Sequence, residues 1–536
     1  MSSAALVSTK TQRPPVNPWI VAAAVVVPTF MEVLDTTIAN VALRYIAGGL
    51  SASVNDSEWV ITSYLAANAT ILPISGWLSS RLGRRNYFLI SIAVFTIASG
   101  LCGTASSLEE LILFRVIQGL AGGGLQPSSQ GILIDAFPPE KQGSAMTLFA
   151  IAGLIAPVIG PTLGGYLTVF YEWRWIFYIN IPVGALGCLA CYLVVEDPPY
   201  LKQIRADLRR RPVRFDYLGL SLLILAVSCW EILLSKGQEW DWYADPTWRA
   251  QTMAIIFAVS LVSLIIHELR IPDPVVNFRP LADRNFAACS MIVFSVYGVL
   301  YATSTTLPGL LQTLFGYDAY ASGLVLSPSG IGSVAMLLVS GFLLGRGTDA
   351  RWLILAGLLL MAAGNRWMAS MNLEISPSLV IWPRVVTFMG ISLIFAPLTV
   401  AAFQGVSQQM RGAAVGLFAL LRNEGGSVGT SLAKTLVQRR SQFHSARVGE
   451  FLDPLNPQVQ DFLNQGQSAF IRETGDPAGS SLMSLQALDA LRDQQATSLA
   501  YFDSFWFFSM LSLLLVGLVF LMRPSVAEKG AHIGAE

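Results

Sequence analysis

Glu32 and Asp35 stand three residues apart inside an apolar run that extends from about Trp19 to Leu43. On a helix that spacing puts both carboxylates near one face. A carboxylate in hydrocarbon costs roughly 2.5–3.5 kcal/mol on insertion scales, so each needs a partner, a water-filled cavity or a proton. Burial favours the neutral form of such an acid, which suits a group that takes up and releases protons. The structural alternative is an ion pair or hydrogen-bonded pair holding helices together, and Glu32 has the further options of snorkelling to the surface or binding cations.

Other polar residues interrupt apolar runs in the same way. Arg115 is the natural partner for a first-span carboxylate, although Glu109 and Glu110 offer a plain interfacial pair. Arg422 and Glu424, two apart in LLRNEGGSVG, cannot face each other on a helix, so each needs its own partner or a wet cavity. Cavity lining and structural pairing stand equal for them, and the neutral groups Asn40 and Gln118 join them as candidates for a substrate cavity. Glu231 in SCWEILLS is expected at the periphery, near the outer interface.

A third feature is a run of helix breakers. Gly153, Pro157, Gly160 and Gly164 recur at one-turn spacing, with Pro161 and Gly165 beside them. Small residues on one face let a neighbouring backbone approach closely. Proline lacks the N–H that would continue the ladder and bends the helix. A smooth, bent packing seam is what a closing cavity requires.

The elements that must position these groups follow from composition. A chain of 536 residues with 53% apolar and 13% charged residues and a mean hydropathy of +0.56 has too little polar surface for a soluble globule. Its apolar runs make roughly fourteen spans of membrane length, near 18–43, 58–79, 87–105, 109–134, 145–169, 175–195, 216–236, 248–269, 286–312, 320–344, 351–370, 378–401, 412–435 and 503–522. The first run lacks a fitting cleavage site and is too long for a secretory signal. All five cysteines sit in apolar runs, and no disulfide is expected.

Phrases recur along the chain. GSAMTLF at 143–149 returns as GAAVGLF at 412–418, Gly160 returns as Gly429 and Arg115 as Arg384, all 269 residues on. GWLSSR at 76–81 is echoed by GFLLGR at 341–346. Two six-span halves with two inserted spans explain that offset, and such repeats place a substrate path at their interface near the midplane. The fold expected is therefore all-α integral membrane, two six-helix bundles plus two inserted helices. The predicted divisions are an N-terminus 1–17, a first bundle 18–195, a basic loop 196–215, inserted spans 216–269, a second bundle 286–522 carrying a long outer loop 436–502, and a tail 523–536. Basic residues in the short loops, Arg81, Arg84 and Arg85 among them, put both termini inside. The outer loop is expected to be solvated with a marginal amphipathic helix near 457–470, or to dock a periplasmic partner. Gly76, Arg81, Gly83, Arg84 and Arg85 serve either as positive-inside anchors or as a cytoplasmic gate whose charges meet the other half.

An enzyme or an ATP-driven pump is disfavoured. There is no Walker loop and no HExxH, and His267, His444 and His532 are too scattered for a metal site. No catalytic residues, cofactor or nucleic-acid partner are expected.

LDTTIANVAL (34–43), GWLSSRLGRR (76–85), RVIQG (115–119), APVIGPTLGG (156–165) and WRWIFYINIPVG (173–184) resemble, in order, the signatures of the major facilitator superfamily. The fourteen spans and RFDYLGL (214–220) are similar to its EmrB/QacA branch of drug–proton antiporters, and RNEGGSVGTS with the long outer loop is most like its EmrB-type permeases. The resemblance implies proton-coupled multidrug efflux at a bacterial inner membrane, with a periplasmic adaptor (membrane fusion protein) and an outer-membrane channel as partners. It assigns Asp35 to the first-helix motif, Arg115 to proton coupling, and Gly160, Pro161, Gly164 and Gly165 to the antiporter motif. A siderophore or fatty-acid exporter would share the chassis. Ser80, Arg44 and Ala156 depart from the family pattern, and Ser80 puts the loop motif's charge relay in doubt.

Overall fold

In the computed structural model, residues 17–198, 201, 216–271, 274–373, 377–406 and 410–524 are described. The basic run from Lys202 to Arg214, the first sixteen residues and the tail beyond 524 lie outside them, as does the side chain of Ser80. The described chain is helical. Its first half comprises α1 (Pro18–Gly49), α2 (Trp59–Leu82), α3 (Arg84–Thr104), α4 (Leu108–Gly122), α5 (Leu125–Ala136), α6 (Pro139–Phe170) and, after a one-turn helix, α7 (Asn180–Val194). The inserted pair is α8 (Tyr217–Lys236) and α9 (Arg249–Arg270). The second half comprises α10 (Arg284–Leu314), α11 (Ala319–Leu326), α12 (Pro328–Gly345), α13 (Ala350–Met368), α14 (Pro377–Phe403), α15 (Arg411–Gly449), α16 (Pro457–Thr474) and α17 (Pro477–Val519).

α4 with α5 forms one broken rod, as does α11 with α12, so each half contributes six spanning rods. Ten of the helical segments are long and apolar enough to cross a membrane by length and composition alone. The rods below that measure are α2, α4 with α5, α13 and α15. All four carry buried or part-buried polar side chains, among them Asn68, Arg115, Gln126, Asn365 and Arg422, which lower their hydropathy.

Local chemistry fixes the breaks. Asn17 caps α1, accepting the Trp19 N–H at 3.0 Å with Pro18 in the first turn. Gly83, at φ +88°, turns the chain between α2 and α3. Gly119 to Gly124 press α4 and the break after it onto α2 and α3: a side chain at 119 would strike the Tyr64 carbonyl, and one at 123 would lie 2.5 Å from that of Asn68.

The two halves repeat one packing rule. In the first, α6 lies on α1, where a Cβ at Gly160 would strike Thr37 and one at Gly164 would lie 3.2 Å from Ile38. In the second, α15 lies on α10, where Cβ atoms at Gly425 and Gly429 would strike the carbonyls of Phe294 and Gly298. Between halves, α6 packs against α11 and α12, and α2 packs against α15. These seams are tight at the end of the bundle that carries α16: Gly165 meets the Ala319 backbone, Gly323 meets Pro161 and Thr162, Tyr166 and Phe170 pack on Tyr320, and Lys434 pairs with Glu58.

Two expectations change. The segment 436–502 holds more helix than the one expected near 457–470: that one is α16, capped by Asn456 and ended by Gly475 at φ +70°, while α15 runs on to Gly449 and α17 starts at an Asp476 cap. Its polar composition reads as loop, yet water-exposed helices need only an apolar stripe where they touch, here α16 on α17. The inserted helix α8 packs on both α2 and α15, so Glu231 is 2% exposed and inside the molecule rather than peripheral.

Candidate functional site

Asp35 and Arg115 form a buried ion pair, Oδ2 to guanidinium nitrogen 2.5 Å. Burying two charges costs several kcal/mol per ion unless the geometry is good and the remaining lone pairs and protons are satisfied. The geometry is good and most of these groups are satisfied, one buried guanidinium nitrogen of Arg115 being left without a hydrogen bond. Asp35 Oδ1 accepts from Gln118 at 3.0 Å and from Asn180 at 2.7 Å, while Arg115 donates to the Val60 carbonyl at 3.0 Å and to Gln118 Oε1 at 2.9 Å. The guanidinium lies 4.2 Å from the Tyr64 ring centroid, a cation–π contact. Asn180 is held in turn by Ser99 at 3.0 Å. Glu109 and Glu110 play no part in this pair, and Glu110 accepts from Ser106 at the start of α4.

Glu32, one turn earlier on α1, is a separate node. Its Oε1 accepts from Tyr64 at 3.3 Å and Asn68 at 3.2 Å, and its Oε2 from Gln126 at 2.7 Å. The Gln126 amide oxygen accepts from Arg422 of the second half. An amide thus stands between a carboxylate and a guanidinium, donating to one and accepting from the other. Tyr64 touches both nodes. A polar thread therefore runs from Arg422 through Gln126, Glu32 and Tyr64 to Arg115 and Asp35, crossing from one half to the other.

The thread begins at a cavity. A narrow cleft is lined mainly by α10, α14 and α15, with Tyr297, Phe395, Thr399, Phe418 and Arg422 among the side chains and Gln130 of α5 opposite. Arg422 lies 5.4 Å from the Tyr297 ring centroid and is the one charged lining residue among those described. The cavity occupies the half of the bundle nearer the loop of Arg84 and Arg85, away from the tight seams at the α16 end. Its apolar walls with a few polar groups suit an amphipathic ligand.

The other sequence candidates fall elsewhere. Gln118 belongs to the ion-pair cluster, and the Asn40 amide donates to the Thr36 carbonyl of its own helix at 3.1 Å. Glu424 does not line the cavity with Arg422 but faces Glu231 of α8. Pro157 and Pro161 lie within a continuous α6, whose Gly160 and Gly164 meet α1 and whose Gly165 meets α11. Arg84 binds the Gly131 carbonyl at 2.8 Å and Asp135, and Arg85 donates to the Tyr192 carbonyl at 2.8 Å. Both arginines are thus held within their own half in this conformation. Arg81 stacks 5.4 Å from the Trp77 ring, and a Cβ at Gly76 would meet open space. Reading by charge missed Tyr64, Asn180, Gln126 and Gln130. Gln126 and Gln130, one turn apart in QPSSQ, were the available signal.

The model of the Major Facilitator Superfamily matches residues 26–430. The multidrug export protein EmrB of Escherichia coli K12 is 33% identical over 522 residues, 96% of this chain and 97% of that protein. EmrB of Haemophilus influenzae is 36% identical over 444 residues, 82% of this chain and 84% of that one, and the fatty acid resistance protein FarB of Neisseria gonorrhoeae is 34% identical over 501 residues, 94% and 95%. Among solved structures, the human organic anion transporter MFSD10 has a TM-score of 0.56 at 14% identity, covering 95% of this chain and 100% of that one. A bacterial homologue of the human lysosomal transporter Spinster has a TM-score of 0.55 at 16% identity, covering 95% and 97%. These two likenesses bear on the fold.

Proposed function

The chain belongs to the major facilitator superfamily, and we propose that it is a proton-coupled multidrug efflux permease that exports amphipathic or cationic toxic compounds by alternating access. The observation that carries this reading is the thread from the cavity residue Arg422 to the buried pair of Asp35 and Arg115. A substrate entering the cavity displaces Arg422, by binding it if anionic or repelling it if cationic, and so disturbs Gln126 and Glu32. That disturbance reaches Tyr64, against which the Arg115 guanidinium is stacked.

In the proposed cycle, Asp35 takes a proton from the outer side as substrate leaves. The halves then rock, Asp35 returns its proton to the inner side and Arg115 reclaims the carboxylate. One charge moving down 100 mV yields about 2.3 kcal/mol, and one pH unit adds about 1.4 kcal/mol. Together they support accumulation on the order of several hundredfold.

The loop of Arg81, Arg84 and Arg85 supports a cytoplasmic assignment for its end, with both termini inside and a bacterial inner membrane as the location. The α16 end then faces the periplasm, and the protruding helices α15 to α17 are the surface for an adaptor that leads to an outer-membrane channel. The multidrug export for which EmrB is named agrees with the efflux reading.

A second reading has its own observation. Arg422, cationic and at the cavity wall, favours an amphiphile bearing a carboxylate, and FarB is a relative named for fatty acid resistance. Transport of a dye and fatty-acid panel in proteoliposomes under an imposed pH gradient tests both. Uptake of cationic dyes that collapses with a proton uncoupler supports the first, and uptake confined to acids supports the second.

A further inference from the structure

Glu231 of the inserted helix α8 and Glu424 of α15 face each other inside the molecule, and neither has a cationic partner among the described residues. Glu231 is 2% exposed with Oε1 buried and lacking a hydrogen bond, and both oxygens of Glu424 are buried in the same condition. Ser427 lies beside Glu231 and the Trp230 indole beside Glu424. Trp230 stacks on Phe257 of α9 at 4.4 Å, which closes the site from the lipid side.

The surrounding charges are engaged elsewhere. On α15, Arg422 is bound to Gln126 and Lys434 to Glu58 at the head of α2. On α8, Lys236 is held by Glu239. On α9, Arg249 pairs with Asp245 at one end, and His267 and Glu268 lie beside Asp216 at the other. From α10, Tyr297 and Tyr301 face Arg422 and Gly426, and from α17, Asp503 takes Arg440 and His444.

Two carboxylates that share a buried site cannot both stay ionised, and a protonated one becomes a donor to the other. We propose that Glu231 and Glu424 share one proton and form a second proton-binding site, distinct from Asp35, that latches the seam between the halves. The position of α8 makes the latch respond to conformation. Its Ser235 meets Thr62 of α2 in the first half at 2.5 Å, and its Leu234 carbonyl accepts from Ser431 of α15 in the second half at 2.5 Å. Parting α2 from α15 to open the α16 end must therefore disturb α8 on one side or the other. Carboxylates drawn apart repel each other less, so the pair binds its proton less tightly and the proton favours the closed seam. The proposal rests on the proton-coupled reading only in connecting this latch to transport.

The test uses the full chain in nanodiscs with neither substrate nor gradient. Spin labels at Ser51→Cys and Gln438→Cys, exposed at the α16 end of opposite halves, report the seam by electron–electron distance. In an Asp35→Asn background, lowering the pH from about 8.5 to about 5.5 should raise the closed-to-open ratio, by about tenfold for each unit by which proton affinity differs between the conformers. Glu231→Gln and Glu424→Gln should each cut that response to about twofold or less, since an amide keeps the shape and polarity of the side chain but does not titrate. If one variant fails to fold, the other decides. The proposal is wrong if Asp35→Asn alone abolishes the response or if the folded glutamine variants keep it. Because no transport is measured, either result is independent of whether efflux is proton-coupled.

Discussion

Ser304 holds in the second half the place that Asp35 holds in the first. Asp35 meets Arg115, 80 residues on, at 2.5 Å, and Ser304 meets Arg384, also 80 residues on, at 2.9 Å. Arg384 is buried, adds a bond to Thr303 at 3.0 Å and stacks 3.9 Å from the Phe388 ring centroid, but pairs with no acid among the described residues. The second copy of the frame carries the cation without the anion. An ionisable carboxylate at this position is therefore a property of the first half alone.

Restoring the acid in the second half should stabilise it. Ser304→Asp converts a neutral acceptor into a charged one beside a buried guanidinium, and hydrogen bonds to charged groups contribute about 1.5–3 kcal/mol. The expected result is a higher melting temperature of the purified protein, with proton-driven transport unchanged if coupling belongs to the first half.

Breaking the first-half pair should show the opposite asymmetry. Arg115→Met leaves Asp35 buried with only Gln118 and Asn180, and removing one partner of a buried pair costs about 3–5 kcal/mol. Asp35→Leu with Arg115→Met should recover most of that loss in a melting experiment. Neither protein should transport against a gradient, which separates the pair's part in stability from its part in coupling.

The neighbours Gly164 and Gly165 face different halves, so small changes near them should have different consequences. Gly160→Val forces α6 off Thr37 of α1 within one half and should lower the melting temperature. Gly165→Val, whose Cβ would lie 2.5 Å from the Ala319 backbone, obstructs closure of the α16 end. It should leave the first bundle folded, make cysteines placed on α11 reactive to a water-soluble thiol reagent, and reduce transport at least about tenfold.

Substrate choice should turn on Arg422. Arg422→Ala removes the charged group at the cavity wall and frees Gln126. Carboxylate-bearing amphiphiles should lose about 10- to 100-fold in apparent affinity, the equivalent of about 1.4–2.8 kcal/mol, while neutral and cationic dyes lose less. Competition binding with one acid and one cation measures the split.

The parts that were legible in the sequence are those in which charge interrupts hydrocarbon or a phrase repeats. Asp35, Glu32 and Arg115 announce themselves because a charge within an apolar run must be explained. The repeat places α6 against α15 in the two halves before any packing is known. Asn180, by contrast, is an uncharged residue between two isoleucines, and its bond to Asp35 depends on how α7 lies across α1 and α3. Tyr64 reads as an ordinary aromatic until Arg115 is seen stacked on it. Glu231 was misplaced because a helix without a repeat partner suggests the rim, whereas α8 fills the groove between α2 and α15. In 436–502 the amphipathic helix near 457–470 was legible, but the polar extensions of α15 and α17 were not, since hydropathy reports a membrane and not a helix.

The central claim is that a proton on Asp35 drives export. Proteoliposomes carrying the full chain and a pH-sensitive lumenal dye report proton movement when an exported compound is added on one side. The account predicts that substrate addition moves protons in the opposite direction in the wild-type protein, and that Asp35→Asn still binds substrate but moves none. Substrate-driven proton movement that continues undiminished in Asp35→Asn contradicts it.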